Sequence, residues 1–508
     1  MKNRIILLIG IASLIFIQSC SDYLDVEPKT FFTRELYYNS PTHAQQAVTA
    51  CYAPLRTVYG GAGTYGESAY FMLEFATGTC LTSIGQSIYN MEFKLATTQA
   101  NNRYVWYWWY SYYEGIENCN IALEKLPDIP DISANDLSHF TGEVYFLRAW
   151  YYFMLVQIFG DVPIRVTPTT SIEGVPRSPV DEVYQLIVSD LLEAEKTTLP
   201  NTSTSGKVTK GAVKSLLAKV YLTMAGYPLQ NTGMYAQAAA KAQEVITSGW
   251  YDLFPDIDDL RDRNNRNIVE HIFQTQFAVG IATHSIHPWM MPRYSRISNY
   301  SDEFGCFYPD PAFLTTFDPA DKRVQEKGWF YSNYPLWADN SIIVEFTTPH
   351  VYKFFDDAAQ VSRQGDQNYP NLRYADILLI YAEAQNEADG SPNALALECY
   401  NKVRNRAGLA NKSAADFASQ NDFREAVWKE RWWELCFENQ NWFDMARTRK
   451  VLNLNNNSMS NFVGYEFKYN ELNPSDNYYF RLTEKQFLFP IPLQDLEADS
   501  KLIQNPGY

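Results

Sequence analysis

The chain of 508 residues carries 46 % hydrophobic and 20 % charged side chains, a globular balance that excludes wholesale disorder, a collagen repeat and a disulfide-held miniprotein. Its 42 Lys and Arg stand against 58 Asp and Glu, and the formal charge of −16 repels phosphate backbones, which sets nucleic acid aside as a partner. Aromatic residues reach 15 %, with 36 Tyr, 30 Phe and 12 Trp; such flat, partly polar rings suit both core packing and the surfaces of sugars or peptides.

At the N-terminus Lys2 and Arg4 precede an apolar run from Ile5 to Ile17, broken only by Gly10 and Ser13. The run is about a dozen residues, short of the ~20 that a spanning helix needs, so residues 1–19 read as a secretory signal peptide. Cys20 closes it and resembles the lipobox cysteine of bacterial lipoproteins, whose thiol is acylated and which becomes the new terminus; Ile17 and Gln18 depart from the commonest lipobox residues. Acyl chains contribute ~0.8 kcal/mol per methylene and hold a protein on a bilayer. Residues 20–30 then form a lipidated tether, and its acidic stretch Ser21 to Pro28 is similar to the surface-export signal of Bacteroidetes lipoproteins. An outer-membrane location facing the cell surface is expected. The other six cysteines, Cys51, Cys80, Cys119, Cys306, Cys399 and Cys436, form no C-x-x-C pair and read as buried small hydrophobes, with room for one or two disulfides in an exported chain.

Further along, Tyr59 to Gly66 places four glycines in eight positions, leaving the backbone free beside Tyr65 and Tyr70. The row Trp106, Trp108, Trp109, Tyr110, Tyr112 and Tyr113 precedes a helical GIENCNIAL stretch and reads as packing. Gly142 to Gly160 is apolar almost all round and predicts a helix buried on most faces. Asp181 to Leu199 is amphipathic, with Val183, Leu186, Ile187 and Leu191 on one side and Pro179 and Pro200 outside its ends. Ala212 to Gly226 with Tyr235 to Gly249, and Tyr374 to Asp389 with Pro392 to Gly408, repeat one plan: a helix, a turn with glycine, and a second helix carrying small residues. Units of roughly 34 residues on this plan resemble tetratricopeptide repeats, and an ordinary bundle is the alternative.

Between the two pairs, Trp250 to Gln367 is rich in Pro, Asn, Asp and aromatics, with short strands expected at Ile268 to Phe277 and Ile342 to Phe346. Excursions of this kind commonly carry function. Its residues 281–300 offer Trp289, Arg293, Tyr294, Arg296, Asn299 and Tyr300, and a second cluster holds Trp329, Tyr331, Tyr334 and Trp337. A pyranose lays its C–H face on such rings and its hydroxyls on Asn and Arg. His284 and His287 have no carboxylate motif beside them, and Asp256, Asp258, Asp259 and Asp262 lack the glycine and terminal Glu of an EF-hand loop, so a solvated acidic turn and no metal are expected. H-E-x-x-H, G-x-S-x-G and phosphate-loop motifs are absent from the sequence, and no cofactor or catalytic residue is assigned. A pair of carboxylates for glycoside hydrolysis is available among 58 acids, but nothing promotes one.

Six motifs in order then carry a resemblance. GEVYFLRAWYYFMLVQIFGDVPI (Gly142 to Ile164), KVTKGAVKSLLAKVYL (Lys207 to Leu222), RYADILLIYAEAQNE (Arg373 to Glu387), NKVRNRAGL (Asn401 to Leu409), KERWWELCFENQNWFDMAR (Lys429 to Arg447) and FPIP with a terminal QNPGY are similar to the SusD/RagB family of outer-membrane nutrient-binding lipoproteins. The resemblance implies a single mainly α fold over residues 31–508, with an N-terminal part to about 250 and a C-terminal part from about 251. It consists of a tetratricopeptide-like helical-repeat scaffold carrying an irregular, loop-rich ligand-binding region. It also implies a non-catalytic binder, anchored to the membrane by lipid, that captures oligosaccharides for a SusC-like TonB-dependent outer-membrane transporter. The same architecture collecting peptides or glycoproteins, or a repeat scaffold that holds protein partners, are the alternatives. Ligand contacts are expected from Trp289, Arg293, Tyr294, Asn299, Tyr300 and Trp329, with Tyr65 and Tyr70 near a loop that the family often adds. Arg148, Arg373, Glu383 and Arg431 are expected to be ion-paired scaffold residues.

Overall fold

The longer helices are α1 (Pro41–Tyr52), α2 (Arg103–Lys125), α3 (Ala134–Phe159), α4 (Val180–Lys196), α5 (Lys210–Ala225), α6 (Met234–Ser248), α7 (Tyr374–Asp389), α8 (Ala394–Arg406), α9 (Gln420–Glu434) and α10 (Asn441–Thr448). Many begin at a side chain that satisfies a free amide of the first turn: Ser40, Asn102, Ser133, Thr209, Asn393 and Ser419 each accept from a backbone N–H two or three residues on. α7 ends at Gly390, whose φ of +80° continues into a left-handed turn that a Cβ would oppose. The computed structural model describes residues 38–59, 68–82, 88–171, 173–284, 286–300, 303–469 and 478–508. Residues 1–19, expected to be a signal peptide, the expected tether from Cys20 to residue 30, and Tyr65 lie outside these residues.

Both expected repeat pairs form, and they share one stack. Each helix from α2 to α8 packs on its successor, α6 directly on α7, although the whole irregular region separates those two in sequence. Ala238, Ala239 and Ala242 are the buried face of α6, and their small side chains let it approach both neighbours closely. The fold is the mainly α repeat scaffold that the sequence indicates. α3 starts well before Gly142, because its first two turns are polar and partly exposed and so carry no apolar period.

The irregular region is pinched at its root. β1 (His271–Thr275) pairs antiparallel with β4 (Tyr369–Arg373), Phe273 opposite Leu372 and Thr275 opposite Tyr369, so the chain leaves and re-enters the stack through one buried two-stranded neck. Beyond the neck, β2 (Phe330–Leu336) and β3 (Asp339–Val351) form a long hairpin, Phe330 opposite Val351 and Leu336 opposite Asp339. β3 extends past both ends of the strand expected there. Its first residues, Asp339 to Ile343, face water, whereas His350 and Val351 at its far end are buried.

One continuous apolar core runs through the stack from Ala44 to Ile491, and buried charges thread it. Arg148 grips Asp190 with two bonds of 2.8 Å. Arg431 bridges Asp376 at 2.7 Å and Asp444 at 2.8 Å, and Arg447 joins Asp444 to Glu383. Arg373 meets Glu434 at 3.0 Å, Glu438 at 2.8 Å and Glu270. Burial alone pushes the Glu434 carboxyl up, but Arg406, Arg373 and Arg323 outweigh it and pull it down to about 2. Arg148, Arg373, Glu383 and Arg431 are scaffold residues, as the sequence indicates; removing one partner of such a pair costs about 3–5 kcal/mol because the other charge stays buried. All six described cysteines are buried free thiols. Among the described residues, no helix is long and apolar enough to cross a membrane.

Candidate functional site

The face presented by residues 281–300 starts from a short helix, Ile286–Met290, that is wholly buried. After it the backbone takes left-handed φ at Tyr294 (+52°) and Arg296 (+58°), which few side chains adopt. Arg293, Tyr294, Arg296 and Asn299 emerge into solvent while Ile297 and Ser298 return to the interior. The fully buried Glu303 holds this turn. Its Oε1 accepts from the Ser298 amide at 3.1 Å and the Ser298 hydroxyl at 2.8 Å, and its Oε2 from the Arg296 amide at 3.4 Å. Gly305, at φ +57°, lets the chain pass underneath: a Cβ there would stand 2.7 Å from the Arg293 nitrogen.

Under the loop lies a small apolar cluster separate from the main core, formed by Met291, Ile297, Tyr331, Tyr352 and Phe355. β2 contributes Tyr331 to it and the half-buried Tyr334, whose ring is 4.9 Å from Phe355. The hairpin turn sets Trp337 beside the loop, its amide donating to the Arg296 carbonyl at 2.9 Å. A third segment joins through Gln360, whose carbonyl accepts from the Asn299 amide at 2.9 Å and whose side chain donates to Ile297 at 2.8 Å. It brings the Arg363 guanidinium to 5.1 Å from the Tyr300 ring, and Arg293 sits 4.9 Å from that of Tyr294.

Tyr294 is 62 % exposed and Trp337 41 %. Tyr300 and Tyr334 are half-buried between these and the floor. The surface therefore offers free ring faces next to guanidinium and amide donors. That combination takes the C–H face of a sugar and its hydroxyl edge, or an aromatic or acidic peptide side chain.

Three expected contacts are corrected by their burial. Trp289, 3 % exposed, meets Phe71 edge-on at 5.8 Å, and its carbonyl accepts from the Cys306 and Phe307 amides. Trp329 is roofed by the Lys353 ammonium, 3.7 Å from its ring centre. Tyr70 is packed against Tyr59, Phe71 and Tyr369, with its hydroxyl donating to the Phe437 carbonyl. None presents a free face. His284 and His287 are also interior: burial lowers both to about 4, and His287 Nδ1 accepts from the Asp356 amide at 2.9 Å. Asp256 and Asp262 cap single turns of 3-10 helix. On α2, Trp108, Trp109 and Tyr112 are buried as expected, whereas Tyr110 is exposed and stacks on Trp106 at 4.9 Å.

Known proteins share this architecture. Residues 270–508 match the model of the SusD family, and residues 22–222 match one described as starch-binding and associating with the outer membrane. The crystal structure of a SusD superfamily protein from Parabacteroides distasonis is 36 % identical and superposes with a TM-score of 0.86, covering 94 % of this chain and 100 % of that one. The chain belongs to the SusD family. A SusD-like protein of Formosa agariphila is 27 % identical over 98 % of both chains. A laminarin-binding SusD-like protein, 24 % identical with a TM-score of 0.72 over 93 % of this chain and 100 % of its own, has the same fold.

Within this SusD-family chain, Arg293, Tyr294, Asn299 and Tyr300 come together as one surface. The Trp337 and Tyr334 of the second cluster join them there instead of forming a separate patch. Glu303, Gln360 and Arg363 were invisible to sequence reasoning. Glu303 acts from the interior, and the other two arrive from a segment distant in sequence, so no local spacing marks them.

Proposed function

We propose that this SusD-family chain is a lipid-anchored outer-membrane protein of the cell surface, held through Cys20, that captures oligosaccharides without altering them and passes them to a SusC-like TonB-dependent transporter. The observation that carries the reading is the exposed pair Tyr294 and Trp337, flanked by Arg293, Asn299 and Arg363 on a bed that Glu303 and the small apolar cluster hold in place. Rings fixed in this way stack on a sugar with little ordering cost. The laminarin-binding relative supports a glycan as cargo, and the match to a starch-binding, outer-membrane-associating family model supports both cargo and location. Calorimetry of the intact chain in detergent against plant, host and microbial glycans tests it: at least one glycan binds, and Tyr294→Ala or Trp337→Ala weakens it about tenfold, the worth of one stacking contact of ~1–3 kcal/mol. Silence across the panel overturns the glycan reading.

The three guanidinium groups at positions 293, 296 and 363 favour a second reading, a collector of acidic peptides on the same face. A panel of proteolysed proteins separates the two, since a peptide that binds in a Tyr294-dependent way with no glycan doing so selects the second.

A further inference from the structure

A different part of the molecule holds a cavity of about 630 Å³, within the range of ~300–1,000 Å³ typical of small-molecule sites. It lies where the C-terminal end of α3, the start of α4, the turn after α5 and α10 converge with the last residues of the chain, and it shares no lining residue with the loop face above. Val156, Phe443 and Ala446 supply an apolar floor, and Tyr227 and Phe487 line it with rings.

One lining residue has no counterpart in the rest of the fold's paired charges. Arg449, just past α10, carries its guanidinium 3.2 Å from the Phe487 ring centre and 5.0 Å from that of Tyr227. Among the described residues its side chain forms neither an ion pair nor a hydrogen bond, so five N–H donors stand without a protein acceptor. The neighbouring cations are spoken for. Arg447 is neutralised by Glu383 and Asp444, and Arg177 donates to the carbonyls of Phe159, Asp161 and Ile503 and to Asn505. The lining acids make no bond to Arg449: Asp161 accepts from the Val180 amide at 3.0 Å, and Glu484, exposed at the rim, exerts only a screened charge attraction on it. Lys485 adds a second positive charge at the edge, over the Tyr508 ring at 4.2 Å. Partial burial has already lowered the Arg449 guanidinium to about 10, a penalty that an arriving anion relieves.

We propose that this cavity is a second ligand site, which takes a small carboxylate-bearing saccharide, its ring on the apolar floor and its carboxylate on the Arg449 fork. A guanidinium held by ring contacts and without a protein acceptor has N–H donors available for a bidentate bond to a planar anion. The site does not depend on the loop face binding neutral glycan.

Trigalacturonate serves as the probe, with neutral galactotriose as its uncharged counterpart, in calorimetry on the intact chain in detergent. Trigalacturonate binds, galactotriose does not compete, and added salt weakens the complex. Arg449→Gln reduces affinity at least ~10-fold, the loss of a charge-assisted pair, while Arg449→Lys retains part of it and Tyr294→Ala leaves it unchanged. Melting curves of the Arg449 variants within a degree or two of the parent show that the loss is not one of folding. No binding of trigalacturonate by the parent chain overturns the proposal, as does binding that falls with Tyr294→Ala and not with Arg449→Gln, which assigns it to the loop face. A tripeptide with a free C-terminus that binds through Arg449 while trigalacturonate does not also overturns the saccharide assignment.

Discussion

Burial raises the Glu74 carboxyl to about 8 against an ordinary 4.5, and the Asn439 amide that donates to its Oε1 offsets only part of this. Because the folded state holds the proton more tightly than the unfolded chain, its contribution is fully present below pH 4.5 and is lost as pH rises through 8. Glu74→Gln keeps the acceptor and removes the proton. The variant therefore melts several degrees above the parent at pH 8.5, with the gap closing toward pH 5; a gap independent of pH would show that the carboxyl is not held neutral. Trp289 and Tyr294 divide in a different way. Both are large aromatics in one proline-bounded loop, and residue type alone gave them the same role. Trp289 fills a core position, so its replacement by Ala opens a cavity at a cost of about 3–5 kcal/mol and lowers the melting temperature sharply. Tyr294→Ala leaves melting unchanged and acts only on ligand retention on a glycan column. The sequence lists the rings, but which of them keeps a free face depends on the left-handed turns at Tyr294 and Arg296, and no local pattern announces those.

The loop face is assembled from three segments, and a single buried carboxylate fixes the turn of the first of them. Glu303 takes three donors from Arg296 and Ser298, the residues between which the chain reverses into the small apolar cluster. Glu303→Ala leaves the Arg296 and Ser298 amides without their acceptor. Hydrogen exchange is then expected to speed at these amides and at Trp337, whose amide bonds the Arg296 carbonyl, while the exchange of α3 and α7 is unchanged; equal protection in variant and parent would remove Glu303 from this role. Elements with a core-facing period were legible in the sequence, and α5 to α8 fall within a few residues of expectation. The hairpin was legible only in part. Ile342 and Ile343 are apolar yet about half exposed, so the stretch that marked a strand is not the stretch that packs.

At the scale of the whole molecule, the sequence showed two repeat units and an excursion between them, but not that α6 packs on α7 across that excursion, because the β1–β4 neck that closes it pairs strands far apart in the chain. The neck also collects buried histidines. His271 lies in β1, lowered to about 3 by burial and the adjacent Arg373, and His284, His287 and His350 in the region beyond it are each lowered by burial to about 4. These rings stay neutral in the folded chain, whereas the unfolded chain protonates them near 6.5. Their contribution is therefore complete above pH 6.5 and is lost as pH falls toward 4, each histidine costing ~1.4 kcal/mol per pH unit within that window. Between pH 6.5 and 5 Glu434 is held ionised by its arginines, while Glu74 keeps its proton in the folded chain and opposes the four histidines by up to one proton, so the histidines still dominate the slope. Urea midpoints converted to free energy should fall through this range with a slope approaching three protons, four from the histidines less one from Glu74. His287→Gln preserves an acceptor for the Asp356 amide and should reduce the slope by about one proton. A flat profile from pH 6.5 to 5, or a slope untouched by that substitution, would mean that the buried rings take up protons without opening the region around the neck, and that the excursion yields to acid independently of the helical stack.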